Sequence, residues 1–351
     1  MYDRRARARR VSDTAPPSPI AEFHGIDRAR FDREIRPAGR PAILRGLASD
    51  WPAVGAARDS DAAIVDYAKR FSHAAPFSAI VGEPEIEGRF FYTDDLTALN
   101  FTRGQSPLDP FLDRLLRDRS VARPFAMAIQ SVPIPDLLPG FADANAVTLL
   151  DRSVVPRLWI GNAIRVATHY DLMENIGVVV AGRRRFTLFP PDQLPNLYMG
   201  PFELTPAGTP VSMVDPAAPD LKRYPRFAEA LRHAQSAELE PGDAIYIPFH
   251  WWHAVDSLAP LNMFVNYWWN PAPAGLGDPY NALLASIYGL ASLPADQRAA
   301  WRIMFDQLVF RTSGEPGAHL PPAIRGVLGE LDEDRIGWIR AMLRDGFARK
   351  S

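Results

Sequence analysis

Short apolar runs recur at regular intervals through the middle of the chain. Between Val154 and Asn270 the segments RLWIGN, NIGVVVAG and RRRFTLFP come first, then a long polar, proline-rich excursion from Pro191 to Ser236, then AELEPG, AIYIP, WHAVDSL and NMFVNYWW. Each run is of strand length, rich in β-branched and aromatic residues and bounded by Gly or Pro, and a series of them predicts a barrel or sandwich. The period changes on either side. From Ile20 to about Gln130 the texture is mixed: FDREIRPAGR opens helically, PAILRG reads as a proline-flanked short strand, DAAIVDYAKRF as a helix and GRFFYTDD as a strand. After Pro273, NALLASIYGLASL, PADQRAAWRIMFDQLVF and DEDRIGWIRAMLRDGF carry apolar faces at helical spacing, with Pro294 at a helix start.

Composition narrows this picture. With 351 residues, 47% of them hydrophobic, the chain can bury one large β or mixed domain plus an appendage. Formal charge is -2 and the basic residues are spread out, so no field favours nucleic acid or an anionic membrane as partner. Zero cysteines exclude disulfides and thiolate ligands, so a metal here takes His, Asp, Glu or water. Of 39 basic residues only Lys69, Lys222 and Lys350 are lysine, so arginine is expected where a relative uses lysine. The opening MYDRRARARRVSDTAPPSPI has no apolar stretch for a signal or a membrane span, and nothing hydrophobic follows its paired arginines. Residues 1–20 are read as a disordered tail, 21–272 as the β-rich domain and 273–351 as a helical region, in a cytoplasmic protein.

Candidate chemistry concentrates in the β-region. In THYD, His169 and Asp171 stand two apart, and in an extended segment both project from one face. A buried carboxylate there must be compensated. Further on, PGDAIYIPFHWWHAVDSL supplies His253, with His250 as a second candidate on the same stretch. Two histidines and one carboxylate on facing strands make the facial triad of non-haem Fe(II), which leaves positions open for a chelating co-substrate and O2. The pattern alone also arises by chance. An oxygenase using 2-oxoglutarate needs, in addition, a buried cation for the far carboxylate. No Arg, Lys or His occurs between Ala254 and Gln297, which excludes a cation shortly after the second histidine. The alternative is GRRRFTLF, where period two sends Arg184 to one face with Phe186 and Leu188, and Arg183 and Arg185 to the other. Arg184 is the inward candidate, and its planar fork suits a carboxylate.

The blocks HYDLMENIGVVVAGRRRFTLFPPDQ, LEPGDAIYIPFHWWHAVDSL and FVNYWW, in this order, resemble the cupin-like branch of the JmjC 2-oxoglutarate oxygenases, and within it the asparaginyl hydroxylases that act on hypoxia-inducible factor. The resemblance runs over roughly residues 20 to 270. It implies a mainly β fold: a double-stranded β-helix, or jelly roll, with flanking helices and a helical C-terminal region. It also implies Fe(II) held by His169, Asp171 and His253, and 2-oxoglutarate as co-substrate with Arg184 in place of the family lysine. Asn175 and Asn266 match family asparagines near the co-substrate. The family also places a tyrosine and a threonine there. The tyrosine region reads PFAMAIQS, without a hydroxyl-bearing aromatic, and the threonine falls on Val166 or, with a one-residue shift, on Thr168. The retained carboxylate of Asp171 implies hydroxylation rather than halogenation, and His250 is left a supporting role. C-terminal helices form the dimer of the resembling hydroxylase, and Ile336, Ile339, Met342 and Leu343 offer an apolar face for a homodimer here.

Trp251, Trp252, Trp268 and Trp269 are read as barrel core ahead of a substrate slot. Two other classes stay open: a metal-dependent cupin enzyme that does not use 2-oxoglutarate, and a non-catalytic binding module that keeps the barrel. The substrate, a protein side chain or a small molecule, is not legible. The first hundred residues and the 191–236 segment are expected to shape its entrance.

Overall fold

Eight strands wind into two facing sheets in the computed structural model, which describes residues 16–73, 75–272 and 277–348. In chain order they are β1 (Pro156–Gly161), β2 (Arg165–His169), β3 (Glu174–Ala181), β4 (Arg184–Phe189), β5 (Gln235–Leu239), β6 (Ala244–Ile247), β7 (Trp252–Ser257) and β8 (Asn262–Trp269). One sheet carries the order β1-β8-β3-β6 and the other β2-β7-β4-β5, every neighbouring pair antiparallel. This is the double-stranded β-helix. Seven of its strands fall on the apolar runs, and the eighth, β2, ends on the THYD histidine.

Both sheets are extended by the first 133 residues. Ala42–Arg45 pairs with β6 and carries Ala21–His24 beside it, while Ala126–Pro133 pairs with β1 and is followed outward by Phe77–Gly82 and Thr102–Ser106. On the other sheet, Arg89–Phe90 lies parallel to β2 and Ser18–Pro19 parallel to β5. Part of the stretch read as a tail belongs to the sheet instead: Ser18 and Pro19 are paired and Ile20 is buried, while residues 1–15 lie outside the described residues. GRFFYTDD contributes only Arg89–Phe90 as strand.

The run in β3 is apolar without alternation because both faces of its sheet are covered. Ile176, Val178 and Val180 share a core with Val54, Ile64 and Leu112 of the helices Pro52–Asp59, Asp61–Lys69 and Leu108–Asp118, whereas Val179 belongs to the inter-sheet core with Ile43, Phe186 and Phe264. Gly177 leaves the space that Phe264 fills, since a Cβ there would stand 2.0 Å from the ring's Cζ. Gly177→Ala is therefore expected to cost about 1–3 kcal/mol by forced repacking. Urea denaturation checks this, and an unchanged midpoint would count against it. Gly182, with φ +74°, turns β3 into β4 where a Cβ would meet Asn262 Oδ1 and Leu261 O at 2.4 Å.

The excursion after β4 has a small core of its own. Leu197, Val214, Phe227 and Leu231, the last two on the helix Phe227–His233, pack with Tyr170, Phe189 and Trp252. By its contacts the chain divides into two units, Met1–Asn270 and Pro271–Ser351. The second holds the helices Pro279–Leu290, Ala295–Leu308 and Glu333–Ala348, none of which buries a residue. Trp338, Met342, Leu343 and Phe347 are exposed, and Ile336 and Ile339 are half-buried. No described helix is long and apolar enough to cross a membrane.

Candidate metal centre

His169 ends β2, His253 faces it across the β2–β7 pair, and Asp171 follows in the turn to β3. Ligand atoms of the three lie within 4.8 Å of one another. The imidazole centroids are 4.3 Å apart, and His253 Nε2 is 3.7 Å from Asp171 Oδ2. His169 Nδ1 lies 2.9 Å from the Ala167 carbonyl, and His253 Nδ1 3.0 Å from that of Trp251. A carbonyl only accepts, so each ring carries its proton on Nδ1 and presents the Nε2 lone pair to the centre. Burial, reinforced by His253 alongside, pulls His169 down to about 4, which keeps it neutral as a metal ligand must be. Two imidazole nitrogens and one carboxylate, already convergent, fit a divalent iron of the facial-triad kind.

The carboxylate is held from the opposite sheet. Trp159 Nε1 on β1 donates to Asn266 Oδ1 at 2.7 Å, Asn266 Nδ2 to Asn175 Oδ1 at 3.1 Å, and Asn175 Nδ2 to Asp171 Oδ2 at 3.0 Å. Trp268 Nε1 donates to the same oxygen at 3.0 Å. An indole only donates and a carboxylate only accepts, so the two ends dictate how both amides are turned. Asn175 and Asn266 thus line the cavity and at the same time form the arm that orients Asp171. Trp268, read as core, is a cavity residue that holds the ligand. The signal for it was period two, which places Asn266 and Trp268 on one face of β8.

A cavity of about 280 Å³ opens over the triad. Arg184 enters its wall beside Phe186 and is only 5% exposed. Its guanidinium stands 4.6 Å from the centroid of the Phe264 ring, its Nε has no hydrogen-bond partner, and no described carboxylate pairs with it. Desolvation pulls this group down to about 9. Arg183 and Arg185 turn outward to Glu238, as the alternation requires. A cation buried without a counter-charge is costly, and an anionic ligand in the cavity compensates it.

Two expectations about the lining need correction. Thr168 is fully buried, but it does not line the cavity and its hydroxyl has no partner. A register shift in the β2–β7 pair lets Val166 and His169, three apart, both face inward, so strict alternation fails at Thr168. None of the first hundred residues lines the cavity either. From outside the eight strands and their turns, Arg103, Gln130 and Ser131 line it, with Pro206–Gly208 the sole contribution of the long excursion. His250 lies outside, stacked on Phe249 with φ +60°, and Trp251, Trp252 and Trp269 pack in the cores.

Comparison with known proteins agrees with this geometry. Over 115 residues the chain is 39% identical to HSPB1-associated protein 1 of Homo sapiens, a match covering 32% of this chain and 22% of that protein. It is 36% identical over 132 residues to lysine-specific demethylase JMJ31 of Arabidopsis thaliana, covering 37% and 22%. The match to tRNA wybutosine-synthesizing protein 5 of Homo sapiens is longer, 26% over 303 residues, covering 80% of this chain and 86% of that one. The chain thus spans 22% of the length of the first two relatives. Residues 28–275 match the family model of the cupin-like domain. With sheets, triad and blocks in agreement over most of its length, the chain belongs to the JmjC-related family of cupin-like domains.

Proposed function

We propose that this protein is an Fe(II)- and 2-oxoglutarate-dependent oxygenase that hydroxylates a C–H bond of a protein side chain or a small molecule in the cytoplasm. The observation that carries this reading is Arg184, a buried cation without a partner in the wall of the cavity that holds the triad. A cupin that uses metal alone on a neutral substrate gains nothing from the desolvation cost of that group, and a binding module gains nothing from the convergent triad. When bound, the iron supplies O2 activation coupled to oxidative decarboxylation of the 2-oxo acid. The chain does the rest. His169, Asp171 and His253 hold the metal, and the fork of Arg184 pairs the far carboxylate of the co-substrate. Phe186, Ile247, Val255 and Phe264 keep water from its carbon chain.

Anaerobic Fe(II) reconstitution followed by titration with 2-oxoglutarate tests the reading, through the weak visible charge-transfer band of the chelate. The band is expected. Iron bound without a band would redirect the assignment to a cupin enzyme that does not use this acid, and no iron at all to a binding module. The proposal includes a homodimer through the C-terminal helices, whose exposed Met342, Leu343 and Phe347 lie on one helix. Sedimentation velocity is expected to give a dimer that Leu343→Asp converts to monomer, and a monomeric wild type at micromolar concentration would remove this part.

A further inference from the structure

The mouth of the cavity is rich in hydrogen-bond donors and has no acid of its own. Among the lining residues Asp171 is the sole carboxylate, and the triad uses it. Arg103, on the strand Thr102–Ser106, lines the mouth, and among the described residues its guanidinium makes no hydrogen bond or ion pair, only a distant approach to the Phe101 ring. Arg157 of β1 shares the inward face with Trp159. Its Nη1 donates to Ser131 O at 2.7 Å and to Ser131 Oγ at 3.2 Å, its guanidinium lies 5.6 Å from the Trp268 ring, and no described carboxylate faces it. Gln130, also at the mouth, keeps its side-chain amide free among the described residues. Ser131 itself has φ +56°, a left-handed conformation unusual for a residue other than glycine, at the register shift between Ile129 and Val132. Backbone of this kind clusters at ligand sites, and Ser131 is the lining residue of this cavity that has it.

Charge balance gives these donors a purpose. A divalent metal, Asp171, Arg184 and a dianionic co-substrate cancel formally, which leaves uncompensated Arg103 in the lining and Arg157, which is not a lining residue but stands against the lining residues Ser131 and Trp268. A cavity of about 280 Å³ lies at the small end of ligand sites, so with a five-carbon diacid inside, the part of a substrate that enters is the size of a side chain. We propose that the prime substrate presents an anionic group, a carboxylate or a phosphate, to Arg103 and Arg157, placing its oxidised carbon within a side chain's length of an acid. This inference rests on the oxygenase reading and names the substrate class for it.

The test uses the full chain with Fe(II) and 2-oxoglutarate under argon, titrated calorimetrically with N-acetylglutamate, N-acetylphosphoserine and the neutral N-acetylglutamine. One or both acids are expected to bind about tenfold or more tighter than the amide, and the stronger of the two identifies the anion. Arg103→Gln and Arg157→Gln should each reduce that preference, and Arg157→Lys should retain most of it. Equal binding of all three probes, binding of none, or a preference indifferent to both Gln variants overturns the proposal. The charge-transfer band, recorded in the same samples, reports separately on the oxygenase reading: a band with no acid preference sinks the substrate class alone.

Discussion

Arg184→Met protein is expected to bind Fe(II) normally, to lose 2-oxoglutarate by about 10²–10³-fold, and yet to unfold at a higher temperature than the wild type when both are ligand-free. The first loss follows from removing one partner of a desolvated charge pair, which typically costs about 2–5 kcal/mol. The gain follows from the surroundings of the guanidinium: an apolar ring, an orphan Nε and no counter-charge. Replacing such a group by an apolar side chain of similar length stabilises by about 1–3 kcal/mol, or roughly 2–4 °C per kcal/mol for a domain of this size. Calorimetric scans with and without 2-oxoglutarate measure both effects, and the ligand should raise the wild-type midpoint while leaving the variant's unmoved. A variant that unfolds earlier than the wild type in the absence of ligand would mean that Arg184 has a structural partner.

Asp171→Ala is expected to abolish metal binding at micromolar Fe(II). The change removes the only anionic ligand and leaves two donors, Asn175 Nδ2 and Trp268 Nε1, aimed at an empty position. Variants of the supporting arm should be graded below it. Trp268→Phe and Asn175→Ala each remove one hydrogen bond to the ligand oxygen and should weaken the metal by about 10–100-fold, the usual effect of losing an outer partner. Competition against a chromophoric chelator ranks all three. Should Asp171→Ala retain metal as well as Trp268→Phe does, the carboxylate is not a ligand.

Some of this was legible in the sequence because a short-range rule fixed it. Period two alone turns Arg184 inward with Phe186 and sends Arg183 and Arg185 to Glu238, and β4 obeys it without interruption. The run in β3 was legible as a strand, and its lack of alternation fits the cover it has on both faces. Thr168 misled because its facing depends on a register shift set by β7, a partner far along the chain. The same holds for Ser131, whose positive φ no glycine signals. The sheet extensions by Ser18–Pro19 and Arg89–Phe90 rest on two-residue pairings with strands far away in sequence, too short to leave a periodic trace. Trp268 was read as core for another reason: an aromatic on a strand looks the same from either side until the acceptor of its N–H is known.

The register that sets His169 against His253 has a consequence for how the molecule comes into being. Between the two histidines lie β3, β4, β5, β6 and the whole 191–234 excursion, so the pair meets only after a long stretch of chain has been ordered. Closing so large a loop pays its entropy before any contact rewards it, and non-local antiparallel pairing is the slow part of folding. The strand β4 that carries Arg184 pairs with β5 and β7 alone, both beyond the excursion, and Leu188 stands opposite His253 in that pairing, so Arg184 depends on the same distant strand as the triad. A growing or refolding chain therefore sets Arg184 and the His169–His253 pair in place together, at the closure of the jelly roll.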